Sequence, residues 1–267
     1  MNTCLHIRFY GRDTGVPLVF LHGFMGSAAS FETLAGLLPD AIRPVGIDLP
    51  GHGQSRFDRL ACSVAPGSFM DVARTISADL EAAGIDRFYL YGYSMGGRVA
   101  QAVALIAPEK IRCLMIESAG FGIVCPKERN ERYAADRRLL ADISGPADFD
   151  AFLDRWHDLP LFRTLSPELK ASLKAAKKNN AVSELVCALE LLSVGNQPFF
   201  LPELAEAPFP VALFCGAADE KYRTIAEDAA KKIPGARLFV FPDASHDIHV
   251  QYPRAVAETI ITVLTAP

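Results

Sequence analysis

Short apolar runs alternate with segments of helical periodicity along most of the chain. Apolar residues that recur three and four positions apart predict an amphipathic helix, whereas a short apolar run between turn residues predicts a buried strand. In residues 71–83 one helical face is apolar, and Gly84 marks the end of the helix. The predicted helices cover about 28–38, 71–83, 95–106 and 254–264. The predicted strands are Pro17 to His22, Arg43 to Asp48, Arg87 to Tyr91, Arg112 to Ile116, Val211 to Cys215 and Arg237 to Phe241.

This alternation is typical of an α/β fold with a mostly parallel central sheet and helices on both faces. It stops after the strand at 112–116, because residues 121–205 carry helical patterns and no convincing strand. We expect the strand at 112–116 to be the sixth strand of the fold. A helical insertion at such a point is typical of a lid over the strand ends. We expect a single domain over 1–267, with a core of about 1–120 and 206–267 and a helical lid of about 121–205.

Composition and charge narrow the class of protein. Half of the 267 residues are hydrophobic, but no apolar run is long enough to span a bilayer. The N-terminus lacks the unbroken apolar stretch of a signal peptide, so we expect a cytoplasmic protein without a membrane span. The net charge of -4 disfavours a nucleic-acid partner, which usually needs a concentrated basic surface. We expect a monomer or a weak homo-oligomer.

The cysteines give no sign of a metal site. None forms a C-x-x-C pair, and they lie far apart, at positions 4, 62, 113, 125, 187 and 215. An even count is weak support for disulfides in a chain of this length. A free cysteine in an apolar segment packs as a small hydrophobic residue. We therefore expect a reducing compartment. The sequence shows no ligand cluster and no phosphate-binding loop, so we expect no metal ion and no cofactor.

The strongest chemical signal is a G-x-S-x-G motif at residues 92–96, between a predicted strand and a predicted helix. Serine in this setting occupies a tight, strained turn, and the flanking glycines let the backbone close without a Cβ clash. The turn raises the hydroxyl above the sheet at a helix N-terminus, where backbone amides favour negative charge. Ser94 is therefore the predicted reactive residue, with an ordinary tight turn as the alternative.

A serine hydroxyl needs a base, and the base needs an acid to orient it. In α/β hydrolases the acid and the histidine follow the serine in that order, on loops after late strands. Asp219 follows the strand at 211–215, and His246 follows the strand at 237–241. These positions predict an α/β-hydrolase fold with Ser94, Asp219 and His246 as its catalytic residues.

Other residues compete for these roles. Glu117 follows the strand before the insertion, and in some enzymes of this fold the acid lies there. Asp243 and Asp247 flank His246, and we interpret them as solvated loop charges. His249 would point elsewhere unless its loop turns helical. The alternative for His246 itself is a structural histidine.

A glycine-rich turn, HGFMG at 22–26, follows the first predicted strand. The backbone amides of Phe24 and Met95 are candidates for an oxyanion pocket, although the turn could serve only to position a helix. We expect His22 to brace this loop by hydrogen bonds. The turn cluster at 48–55 is expected to be structural.

Basic residues suggest an anionic ligand. Arg98 lies one helical turn after Ser94, where the helix dipole makes a cation mildly unfavourable, so either a bound anion or a salt bridge would explain it. Residues 126–180 hold eleven basic and nine acidic residues, whereas the rest of the chain is acidic. The candidates to meet entering anions are Arg129, Arg132, Lys177 and Lys178, and solvation of exposed helix faces is the alternative for each.

Several motifs carry a family resemblance. HGFMGS (22–27), DLPGHGQS (48–55) and GYSMGGRVA (92–100) occur in many α/β hydrolases. More specific are ESA (117–119), ERNERYAADR (128–137), FLDRW (152–156), PLF (160–162), NQP (196–198), CGAADEKY (215–222) and ASHDIHVQYP (244–253). These stretches resemble the MenH family of menaquinone biosynthesis, the 2-succinyl-6-hydroxy-2,4-cyclohexadiene-1-carboxylate synthases. The resemblance runs from about residue 17 to the C-terminus and includes the predicted lid.

The resemblance implies a lyase that eliminates pyruvate from 2-succinyl-5-enolpyruvyl-6-hydroxy-3-cyclohexene-1-carboxylate, a small polycarboxylate. Ser94, polarised by His246 and Asp219, would remove a ring proton without forming an acyl-enzyme. The resemblance implies a substrate pocket lined by Phe24, Tyr93, Met95, Arg98, Arg129 and Trp156; without it, Trp156 could simply pack within the lid. Lys177 takes a position where the family carries arginine, and lysine offers a point charge in place of a bidentate fork.

The chain departs from the family in two further places, and other functions stay open. Ser245 precedes the histidine where glycine is usual, and 120–122 reads GFG in place of Pro-Gly. An α/β-fold hydrolase of a C–C bond or a carboxylic ester in an anionic small molecule is the alternative function. A binding protein without activity would have no need of all three catalytic residues.

Overall fold

A computed structural model describes residues 3–57 and 67–265 of the chain. Its strands are β1 (Ile7–Phe9), β2 (Val16–Leu21), β3 (Ile42–Ile47), β4 (Phe88–Tyr93), β5 (Ile111–Glu117), β6 (Val211–Gly216) and β7 (Arg237–Phe241). Its helices are α1 (Glu32–Gly36), α2 (Phe69–Ala82), α3 (Met95–Ile106), α4 (Pro126–Arg138), α5 (Pro146–His157), α6 (Pro167–Lys177), α7 (Val182–Leu192), α8 (Leu201–Ala205), α9 (Glu220–Lys232), α10 (Ile248–Gln251) and α11 (Pro253–Thr265).

All seven strands form one sheet in the order β1-β3-β2-β4-β5-β6-β7. β1 runs antiparallel to β3, and every other neighbouring pair is parallel. One face packs against α2, α3 and α9, and the other packs against α1 and α11. Because both faces are covered, the central strands are almost continuously apolar. The predicted fold class is confirmed.

The predicted strands agree with the observed ones to within two residues at each end. β1 was not predicted, because a three-residue strand with a partly exposed pattern carries too little periodicity. The helix predicted over 28–38 is a 3-10 helix, Ala28–Phe31, followed by the short α1. Helices α4 to α8 lie between β5 and β6, and residues 121–205 contain no strand. The insertion was predicted to follow the sixth strand of the fold. Among the described strands it follows the fifth, β5.

The cysteines depart from expectation at one position. Cys4 is disulfide-bonded, which does not fit the expected reducing compartment. Cys62 lies outside the described residues. The free thiols are Cys113, Cys125, Cys187 and Cys215.

β4 and α3 meet at Ser94, whose φ of 51° and ψ of -111° are rare for a residue with a side chain. Glycine is required nearby, because a Cβ at Gly96 would overlap the carbonyl oxygen of Leu21 in β2. A Cβ at Gly92 would likewise meet the Gly96 carbonyl oxygen at 2.5 Å. The Ser94 amide donates to the carbonyl oxygen of Glu117 at 2.9 Å, which ties the turn to β5.

His22 and His52 brace the loop after β2. Each donates from Nδ1 to a backbone carbonyl oxygen and accepts a backbone amide at Nε2, from Leu49 for His22 (2.9 Å) and from Met25 for His52 (3.1 Å). These roles require neutral rings, since a protonated ring has no acceptor. Burial lowers the pKa of both histidines, that of His52 to about 3. The bracing role predicted for His22 is confirmed.

The close approach of α3 to β2 predicts a steep cost for any side chain at Gly96. Gly96→Ala should lower the free energy of unfolding by about 3 kcal/mol or more, because backbone atoms must move to admit the methyl group. Gly36→Ala is the matched control, since a Cβ there meets nothing within 4 Å, and it should be neutral or stabilising by up to about 1 kcal/mol. Urea unfolding measures both; equal effects of the two substitutions would contradict this packing.

The neutral state of His52 predicts a pH-dependent stability. Its folded pKa of about 3 lies below the unfolded value of about 6.5, so the unfolded chain binds the extra proton and stability falls as pH drops from 6.5 toward 3. His52→Gln removes this titration and should reduce the loss between pH 7 and pH 5 by about 2 kcal/mol. Urea unfolding at both pH values gives the comparison; identical losses in the two proteins would refute it.

Candidate active site

Three polar side chains meet above the carboxyl ends of β4, β6 and β7. Ser94 occupies the β4–α3 turn, Asp219 is the N-cap residue of α9, and His246 lies between β7 and α10. His246 Nε2 lies 2.9 Å from Ser94 Oγ, and His246 Nδ1 lies 2.6 Å from Asp219 Oδ2. A carboxylate only accepts hydrogen bonds, so Nδ1 carries the proton and Nε2 is free to accept the serine proton. This arrangement makes Ser94 a polarised hydroxyl.

The His246 ring is held from several sides. Its backbone amide donates to the carbonyl oxygen of Leu161 in the insertion at 3.1 Å. Aromatic rings of Tyr93, Phe162 and Tyr222 surround it, with centroids 5.4, 6.2 and 4.7 Å away. The imidazole therefore has little freedom to leave Ser94.

Glu117 belongs to a different histidine. Both of its carboxylate oxygens lie within 3.1 Å of His249 Nδ1, the His249 amide donates to it at 3.1 Å, and the Tyr91 hydroxyl also donates to it. The loop after His246 does turn helical, as α10, and this directs His249 toward Glu117. The rival acid is thus engaged with an imidazole that does not contact Ser94.

Asp247 is not a solvated loop charge, in contrast to the expectation. It is 3% exposed, and its Oδ1 has no hydrogen-bond partner among the described residues. Burial raises its pKa to about 7. The sequence could not show this, because the loop is buried only by its tertiary contacts. Asp243 is exposed, as expected.

A cavity of about 610 Å³ opens onto Ser94, Asp219 and His246. It takes walls from both the sheet end and the insertion, since Leu161, Phe162 and Trp156 line it. The sequence-predicted substrate residues that line it are Phe24, Tyr93, Met95, Arg98, Trp156 and Lys177. Arg129 is the predicted residue that the structure does not bring to the cavity.

Of the two α4 arginines predicted to meet entering anions, Arg132 reaches the cavity and Arg129 does not. Arg129 Nε donates to the carbonyl oxygen of Gly195 at 3.1 Å, whereas Arg132 lines the cavity and pairs with Asp136 at 2.8 Å. α4 is polar on nearly every face, with Asp136 as its one buried residue. A helix without an apolar stripe gives no sequence signal for the side that turns inward.

Two buried cations line the cavity with little compensation. Arg98 is 7% exposed and donates to the carbonyl oxygen of Leu192 at 2.8 Å, but it forms no ion pair with a described carboxylate. Lys177 is 8% exposed, and its ammonium group has neither a hydrogen bond nor an ion pair within 3–57 and 67–265. Burial lowers the pKa of Arg98 to about 10 and that of Lys177 to about 8. Lys178 instead lies outside and pairs with Asp150.

Donors for a developing negative charge lie beside the serine. The residues of the predicted oxyanion pocket, Phe24 and Met95, both line the cavity. Neither amide donates to an acceptor in the described part of the chain. The Met95 amide also opens α3, where the helix dipole favours an anion. Both amides therefore stay candidates to bind an oxyanion beside Ser94.

Sequence reasoning missed Tyr222 and Lys221, which line the cavity just after Asp219. They stand within the CGAADEKY motif, but their position on the first turn of α9 becomes informative only when α9 is placed over the site. In the described ranges no cluster of His, Cys, Asp and Glu is arranged to hold a metal ion. None of the described helices is long and apolar enough to cross a bilayer.

Comparisons with known proteins agree with this geometry. The model of a family described as "Alpha/beta hydrolase family" matches residues 18–259. The 2-succinyl-6-hydroxy-2,4-cyclohexadiene-1-carboxylate synthase of Serratia proteamaculans is 32% identical over 94% of this chain and 93% of its own length. The synthase of the same name from Salmonella agona is 31% identical over 97% of this chain and 98% of its own length.

A solved structure is also similar to this chain over nearly its full length. MenH from S. aureus superposes with a TM-score of 0.86 at 29% identity, and 97% of each chain is covered. The agreement therefore includes the inserted helices as well as the sheet. The chain belongs to the alpha/beta hydrolase family and, within it, to the family of 2-succinyl-6-hydroxy-2,4-cyclohexadiene-1-carboxylate synthases.

Proposed function

We propose that the protein makes 2-succinyl-6-hydroxy-2,4-cyclohexadiene-1-carboxylate in menaquinone biosynthesis, by eliminating pyruvate from its enolpyruvyl precursor. The observation that carries the proposal is a cavity in which a polarised serine faces buried, uncompensated cations. A buried charge without a partner is costly unless a ligand supplies the counter-charge. The precursor carries three carboxylates, so it can supply that charge.

In this reaction Ser94 serves as a base. His246 accepts the serine proton at Nε2 while Asp219 stabilises the imidazolium, and Ser94 Oγ removes a ring proton from the substrate. The electrons of that C–H bond form the new ring double bond as the C–O bond to the enolpyruvyl group breaks. Pyruvate leaves as its enolate and regains a proton, so the serine is never acylated.

The surroundings of Ser94 suit this chemistry. The amides of Phe24 and Met95 stabilise the charge that develops when the proton is removed. Arg98 and Lys177 hold substrate carboxylates, and Arg132 takes the role expected of Arg129 on the same helix. Tyr93 and Trp156 supply apolar walls that exclude water.

The inserted helices serve as the lid of one α/β-hydrolase domain that spans the chain. Support comes from the cavity residues that the insertion contributes, among them Arg132, Trp156 and Lys177. We place the enzyme in the cytoplasm as a monomer or a weak homo-oligomer. The free thiols at four described positions support a reducing compartment, whereas the disulfide at Cys4 does not.

Ser94→Ala should lower the rate of pyruvate release about 10²- to 10⁴-fold, because the base that removes the ring proton is lost. Pyruvate is followed by coupled reduction with lactate dehydrogenase, using precursor made enzymatically in situ. The control is binding of 2-succinylbenzoate, an aromatic analogue of the product, which the variant should retain. A wild type that releases no pyruvate but forms a serine-bound acyl species with 4-nitrophenyl esters would replace the proposal with a hydrolase.

Lys177→Met should lower kcat/KM by about 10- to 100-fold, because a hydrogen bond to a charged substrate group contributes about 1.5–3 kcal/mol. Lys178→Met is the matched control, since Lys178 lies outside the cavity on the same helix end, and it should have little effect. The wild type should also lose kcat/KM as pH rises through about 8, where the Lys177 ammonium deprotonates. An alkaline decline that persists in Lys177→Met would exclude Lys177 as its cause.

A further inference from the structure

Tyr222 lies on the wall of the cavity that faces His246. It belongs to the first turn of α9, and its amide donates to Asp219 Oδ1 at 3.4 Å. Its ring lies 4.7 Å from the His246 ring, and Lys221 Nζ lies over it, 5.4 Å from its centroid. Asp219 therefore fixes the backbone of Tyr222, whereas His246 and Lys221 contact its ring.

The hydroxyl of Tyr222 is the part without a structural task. It forms no hydrogen bond with a residue in 3–57 or 67–265, and the hydroxyl of Tyr93 on the same cavity wall likewise has no partner in these ranges. Packing against His246 needs only the ring, so phenylalanine would serve as well for that purpose. A free hydroxyl on a cavity wall indicates a ligand as its partner.

The charges nearby indicate what that ligand offers. Arg98 and Arg132 line the same cavity, and both act electrostatically on the Tyr222 hydroxyl. Burial nevertheless raises the pKa of Tyr222 above its usual value, so the group stays a hydroxyl and acts as a donor at neutral pH. A donor beside the guanidinium of Arg98, which has no carboxylate partner among the described residues, suits an anionic oxygen, because a neutral carbonyl would leave that cation without a counter-charge.

We propose that Tyr222 is a specificity-determining residue whose hydroxyl donates a hydrogen bond to a substrate carboxylate, held between Arg98 and His246. This inference rests on the proposed function and deepens it, because it assigns one substrate carboxylate to the cavity wall beside His246. The interaction is present in the bound ground state and in the transition state alike. Its loss therefore weakens binding and leaves the chemical step intact.

Tyr222→Phe tests the hydroxyl alone, since the ring and its contact with His246 remain. The KM for pyruvate release and the Kd of 2-succinylbenzoate, measured by calorimetry, should each rise about 10-fold. The kcat should stay within about twofold, and the pH profile should keep its shape. Tyr252→Phe is the matched control, because Tyr252 is 39% exposed and outside the cavity, and it should change none of these values.

The outcomes separate this inference from the proposed function. A KM and a Kd within about twofold of wild type would overturn the role of Tyr222 while leaving pyruvate elimination intact. A fall in kcat at constant KM would also overturn it, because the hydroxyl would then act on His246 and not on a carboxylate. If wild type binds the analogue but releases no pyruvate, the proposed function is refuted. The Kd of the analogue for Tyr222→Phe, compared with that for wild type, then still tests whether the Tyr222 hydroxyl binds a carboxylate. If wild type neither binds the analogue nor releases pyruvate, both the proposed function and the role of Tyr222 are refuted.

Discussion

The strained backbone at Ser94 is the constraint on which the site depends. A φ of 51° is held because the turn is locked between β2, β5 and the start of α3, where only glycine fits at Gly96. Such strain costs about 1–3 kcal/mol and persists only where the surroundings enforce it. In return the hydroxyl stands clear of the sheet, beside the amides of Phe24 and Met95, which have no acceptor among the described residues. The positions of the other cavity groups matter for the reaction only relative to Ser94 Oγ.

The second organising feature is charge that the protein does not balance by itself. Lys177 and Arg98 are buried without carboxylate partners in the described chain, although both would be better solvated at the surface. Their burial lowers the free protein's stability and raises the gain from binding a polyanion. The fold is shared with many hydrolases, so the fold alone does not decide the reaction. The pairing of a polarised serine with unpaired cations is the feature that favours elimination from a polycarboxylate.

The histidines of two acid–imidazole pairs lie three residues apart along the chain. Asp219 holds His246, and Glu117 holds His249, so each acid is engaged by its own ring. Glu117 also accepts the Ser94 amide through its backbone, which joins the serine turn to the loop of the histidines. The second pair thereby helps to hold Ser94 and His246 in their relative positions.

The sequence by itself determined six of the seven described strands, the serine turn, the order of Ser94, Asp219 and His246 and the family, because these follow from local periodicity, glycine placement and contiguous motifs. Only the tertiary structure decided that Arg132 and not Arg129 reaches the cavity, that Asp247 is buried, and that Tyr222 faces His246. The physical reason is the same in each case. A polar side chain on a polar helix or a loop carries no periodic signal of its direction, and its surroundings come from segments far away in the chain.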